Sequence, residues 1–143
     1  MKEVKQNEIF KLKDLFDEII KETNVEMTGA EAVVKFDRAY NGNYLRIFTD
    51  NVDDPKHCLV VAHYPGFVHS GFICVVQVIY SKPRHRNQIS LNQMRALYRE
   101  YAKKNNCEYI IGSAWKYKGA RGIDSIWIDD GFEPQETVYV LKL

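Results

Sequence analysis

Four side chains, Lys82, Arg84, His85 and Arg86, stand together directly before a segment with helical spacing. Cations and free backbone amides at a helix entrance both present positive charge to phosphate oxygens, so this turn is a candidate anion site. Asn87, Gln88, Ile89 and Ser90 continue the turn and belong to the same candidate. Arg95, Arg99 and Lys103 follow one turn apart and read as a solvated helix face. A second basic stretch, Lys116 to Gly122, carries Lys118 and Arg121 and reads as a surface loop.

Acid–base candidates are few. His57, His63, His69 and His85 are too irregularly spaced for a ligand set. His57 and His63 share a strand face about 20 Å apart by strand rise, which rules out a shared metal. His63, beside Tyr64, is the histidine placed to act as a base toward an acceptor. Gln77 is the only polar side chain between Gly71 and Ile79. An amide can align a water but cannot itself take a proton. The three cysteines, Cys58, Cys74 and Cys107, form an odd set without C-x-x-C spacing. Cys58 and Cys74 lie in apolar strand patterns and read as buried hydrophobes, so a reducing, cytoplasmic setting is expected.

The elements that must carry these residues follow from periodicity. Ile9, Leu12, Phe16, Ile19 and Ile20 predict a helix over Asn7–Glu22. Thr28-Gly29-Ala30-Glu31 is a capping box opening a second helix, which Asn41-Gly42-Asn43 ends. Tyr44–Thr49 and His57–Tyr64 predict a hairpin, and Gly71–Ser81 a central strand covered on both faces. Ser90-Leu91-Asn92-Gln93 reads as a second capping box, for a helix to about Asn105 with Leu91, Met94, Leu97, Tyr98 and Tyr101 facing inward. Glu108–Trp115, Gly119–Asp130 and Gln135–Leu143 then predict strand, short helix and strand. The order is α-α-β-β-β-α-β-α-β, an α/β mixed sheet with helices on both faces and one parallel pair from the crossover.

The bulk composition sets limits on function. A chain of 143 residues, 45% apolar and 27% charged, predicts one domain spanning residues 1–143. A formal net charge of +1 offers no global field for nucleic acid. No apolar run is long enough to span a bilayer, and no apolar signal segment follows Met1, so no membrane association is expected.

The order of elements, the Pro-Arg-His-Arg turn at 83–86 and the Gly131-Phe132-Glu133-Pro134 step together resemble the GNAT superfamily of N-acetyltransferases. The resemblance implies acetyl-CoA as cofactor, its pyrophosphate held at the turn before the long helix, on an Arg/Gln-x-x-Gly-x-Gly/Ala pattern, with Lys118 or Arg121 of the later loop beside a phosphate of the coenzyme. Aligned on Arg86, the two small positions fall on Ile89 and Leu91; aligned on Arg84, they fall on Asn87 and Ile89. Neither register supplies a glycine. The tyrosine that members place four residues before the Gly-Phe step is Trp127 here, and no glutamate occupies the central strand. These departures resemble the small GNAT-like proteins of tailed bacteriophages, some of them virion parts. They imply a non-catalytic interaction or assembly module, with a protein partner or a second copy, in a host cytoplasm or a virion. The alternative implied is an active acetyl-CoA-dependent N-acyltransferase, with a water held at Gln77 in place of the base.

Overall fold

The computed structural model describes residues 1–23, 25–66, 71–113 and 123–134, together with Leu141 and Leu143. Trp115, the 116–122 loop with Lys118, His69 and all but Leu141 and Leu143 of the strand expected over 135–143 lie outside the described residues. The chain opens with β1 (Lys2–Glu3) and a 3-10 segment (Gln6–Leu12), followed by α1 (Lys13–Thr23) and α2 (Gly29–Asn41). The hairpin of β2 (Leu45–Thr49) and β3 (His57–Pro65) leads into β4 (Phe72–Ser81). Then come α3 (Gln88–Lys104), β5 (Cys107–Gly112) and α4 (Ile123–Ile128).

These strands form one sheet in the order β1-β2-β3-β4-β5. The first three pairings are antiparallel, and β4 and β5 pair in parallel. Helices cover both faces. On one face α1, α2 and the 3-10 segment bury Phe16, Ile19 and Ala32 against Ile47, Val60 and Tyr80. On the other, Met94, Tyr98 and Tyr101 of α3 and Trp127 of α4 pack on Leu59, Val61, Cys74 and Val76. Cys58 and Cys74 are fully buried, as their strand positions predict.

Four local readings are corrected by the structure. The first helix begins as a 3-10 turn, whose three-residue repeat stacks buried Ile9 on buried Leu12. The cap of α3 is Asn87, not Ser90. Asn87 is extended at φ −154°, and its Oδ1 accepts from Ser90 N at 2.9 Å. Ser90 therefore lies inside the first turn, buried, with its hydroxyl turned back to the Asn87 carbonyl at 3.4 Å. The central strand is not covered throughout, because only Cys74, Val76 and Tyr80 of β4 are buried. Arg95 and Arg99 do not form a solvated face. Arg95 is buried and donates to Ile126 O at 2.8 Å, and Arg99 pairs with Asp130 at 2.8 Å, so both tie α3 to the α4 turn.

The end of α4 agrees with the sequence. Gly131 has φ +88°, a left-handed conformation that glycine adopts without a Cβ penalty. Its amide donates to Ile128 O and that of Phe132 to Trp127 O, each at 3.0 Å. This turn brings the Phe132 ring to 5.2 Å from that of Trp127. Trp127 is buried, while Phe132 is half-buried rather than enclosed.

Candidate active site

The local irregularity that shapes the site is at Gln77. β4 pairs Val78 with Val60 and Val76 with Val61, so Gln77 has no partner of its own and forms a β-bulge. A bulge inserts one residue and reverses which face the following side chains take. Cys74 and Val76 accordingly pack on the α3 side, whereas Val78 and Tyr80 pack on the α1–α2 side. Gln77 itself is exposed, and its Nε2 donates to the Tyr64 hydroxyl at 2.9 Å.

Pairing with β5 stops at the same place. Among the described residues Val76 opposite Gly112 is the last parallel pair, and β4 runs on to Ser81 paired with β3 alone. The separation opens a groove of about 660 Å³. Val76–Ser81 form its floor; Phe16, Ile19 and Phe36 line it from the helical layer, and Leu91, Met94 and Trp127 from the opposite side. Trp127 is held there by its indole N–H, which donates to Ser113 O at 3.2 Å. Gly112 leaves room for that ring, since a Cβ in its place would lie 2.5 Å from the indole.

Arg86 and Asn87 stand at the mouth, where the loop enters α3. The first amides of a helix have no carbonyl partner within it; the Asn87 side chain takes that of Ser90, which leaves those of Gln88 and Ile89 to face the turn. Ile89 is 75% exposed and projects away from the groove wall, while Leu91 lines it. The absence of glycine at position 89 therefore places no side chain in the groove. Arg86 Nε donates to Ser81 O at 3.0 Å, and its Nη2 is paired with Glu22 of α1. Lys82 pairs with Glu18 at 3.2 Å. Tyr80 is pushed up to about 12 by burial and then by its hydrogen bond to Glu22, so it is neutral at physiological pH.

Of the residues expected from sequence, Gln77, Arg86 and Asn87 line the groove. Arg84, Gln88 and Ile89 are exposed beside it, and Ser90 is buried in the first turn of α3. His63 lies elsewhere: it pairs with Cys74 toward the start of β4, and its Nδ1 is 2.6 Å from the Tyr101 hydroxyl. Burial and then the charge of Arg46 hold its pKa below the ordinary value. Glu22 and Tyr80 are site residues that the sequence reading passed over. The available signal was Glu18 and Glu22 four apart on a helix, matching Lys82 and Arg86 four apart on the loop. Among the described residues no cluster of three or more metal-ligating side chains is present, and no helix is long and apolar enough to cross a membrane.

Known structures share this fold. A predicted acetyltransferase from Clostridium acetobutylicum, solved with acetyl-CoA, superposes with a TM-score of 0.79 at 16% identity, covering 99% of this chain and 94% of that one. The fold is that of the GNAT acetyltransferases. A ribosomal-protein-alanine N-acetyltransferase from Brucella melitensis matches at TM-score 0.75 and 10% identity, over 99% of this chain and 98% of that one. AAC(6')-Iy, solved with a CoA-linked bisubstrate analogue, matches at 0.75 and 12%, over 99% and 95%. No protein-family model matches the chain, and no curated protein matches it in sequence. At these identities the likeness is one of topology: a mixed sheet with one parallel pair and a long helix between its two strands.

Proposed function

We propose that this chain binds an acyl-CoA in the groove and transfers the acyl group to an amine. One observation carries the reading: the groove between the separated strands is open from the α3 entrance to Gln77. A filled groove would have favoured a module that keeps only the fold. The exposed position of Ile89 supports the open form. The lining also suits the ligand. Among the described residues, the five residues of β4 beyond Val76 have no β5 partner, so their backbone groups on that edge can pair with an amide-containing arm. Arg86, Arg84 and the free amides of the α3 turn offer charge for phosphates.

When bound, acetyl-CoA supplies the activated acyl carbon. Gln77 is oriented by Tyr64, and because its Nε2 is the donor in that bond, its Oε1 is left to accept from a water. That water receives the proton of the attacking amine and passes it to solvent, so Gln77 aligns the base without being one. Trp127 and Phe16 wall the groove with apolar surface, which strengthens hydrogen bonds made inside it. The amine nitrogen would bond to the acyl carbon as the carbon–sulfur bond breaks, and the coenzyme's thiolate would be the leaving group. With Trp127 where a tyrosine would donate, its proton comes from water.

A second reading is a non-catalytic interaction module, and one observation favours it. Arg86, the groove-lining cation of the turn, is already paired with Glu22. Titration with acetyl-CoA separates the two. A millimolar excess over a micromolar dissociation constant stabilises the fold by about 4 kcal/mol, a melting shift of several degrees. The transferase reading expects a saturable shift that Arg84→Ala with Arg86→Ala reduces, and amine-dependent release of free thiol. No shift at any concentration leaves the module reading.

A further inference from the structure

Helix α1 is fastened to the loop between β4 and α3 by two ion pairs in register. Glu18 holds Lys82 at 3.2 Å, and one helical turn later Glu22 holds Arg86. Both carboxylates are partly exposed, at 48% and 36%, so water and ligands reach them. The stem of Arg86 is fixed independently, by its Nε bond to the Ser81 carbonyl. Glu22 is therefore not needed to aim the guanidinium. What it does is neutralise that charge at the mouth of the groove.

We propose that Glu18 and Glu22 are specificity-determining residues, which occupy Lys82 and Arg86 until a ligand bearing a diphosphate displaces them. Half-exposed ion pairs are weak, so a diphosphate, with two adjacent charged groups and more acceptor oxygens, can take both cations from them. A single phosphate can displace one pair only. A thioester arm without phosphates displaces neither. The same carboxylates repel any anion that approaches without taking over the cations. The inference deepens the acyl-CoA reading, yet its chemistry depends only on the diphosphate.

The experiment measures binding of CoA, inorganic pyrophosphate and pantetheine to the full chain and to Glu18→Gln/Glu22→Gln. Melting without ligand confirms that each protein is folded. Neutralising the two carboxylates is expected to tighten CoA and pyrophosphate about tenfold, roughly threefold for each carboxylate, with pantetheine unchanged. Lys82→Ala/Arg86→Ala is expected to abolish the gain. If the double glutamine variant binds both phosphorylated ligands no better than the wild type, or binds them more weakly, the carboxylates do not compete for the cations and the proposal fails. Tighter pyrophosphate binding without acyl transfer would sink the transferase reading alone and leave the role of Glu18 and Glu22 standing.

Discussion

The amide of Gln77 and the hydroxyl of Tyr64 are 2.9 Å apart, although their positions on β4 and β3 are not opposite one another. The bulge makes the contact. Without it, Gln77 would take a ladder position, and the strand beyond it would present its other face to the helices.

That contact predicts a graded effect on turnover. Gln77→Ala is expected to lower kcat by about 10²-fold, the low end of what a positioned proton acceptor contributes. Tyr64→Phe keeps the ring but loses the hydroxyl, and a smaller loss of kcat is expected with KM for acyl-CoA unchanged. Steady-state kinetics with a generic amine acceptor reads both.

Trp127 is predicted to anchor the groove wall. Trp127→Ala should cost roughly 3–5 kcal/mol, the range for truncating a buried large aromatic. Gly112→Ala attacks the same contact from the other side, placing a Cβ 2.5 Å from the ring. Chemical denaturation should show a loss of about 1–3 kcal/mol for that variant, as overpacking does.

The cap of α3 gives a direct comparison of two neighbouring residues. Asn87→Ala removes the acceptor of Ser90 N and should cost about 1 kcal/mol. Ser90→Ala removes only a 3.4 Å bond to the Asn87 carbonyl and should cost less. Thermal melts that rank the two the other way would return the cap to Ser90.

Stability should fall on the acid side. Burial and Arg46 lower the pKa of folded His63 beneath its ordinary value of 6.5, so the unfolded chain takes up the proton first. The stabilisation is complete above that value and is lost as pH falls through it. Tyr101 donates its hydroxyl to Tyr44 O at 3.1 Å, which leaves its oxygen to accept from His63 Nδ1. Urea melts between neutral pH and about pH 5 should show the decline, with a shallower slope for His63→Gln.

Sequence periodicity was enough for the framework. The capping box at Thr28–Glu31, the hairpin and the glycine stop at Gly131 are local consequences of residue type, the parallel β4–β5 pair follows from the order strand–helix–strand, and all are present. The entrance of the long helix was legible too, because Arg86 and Asn87 adjoin its start whichever residue caps it. Tertiary structure decided the rest. A bulge depends on how two strands pair, so nothing in Phe72–Ser81 marks Gln77 as the residue without a partner. Whether Ile89 fills the groove depends on the turn's dihedrals, which Asn87 sets by capping three residues earlier than Ser90 would. Glu22 meets Arg86 across 64 residues of chain. Such a contact arises from packing α1 over the sheet, and only the folded chain brings those charges together.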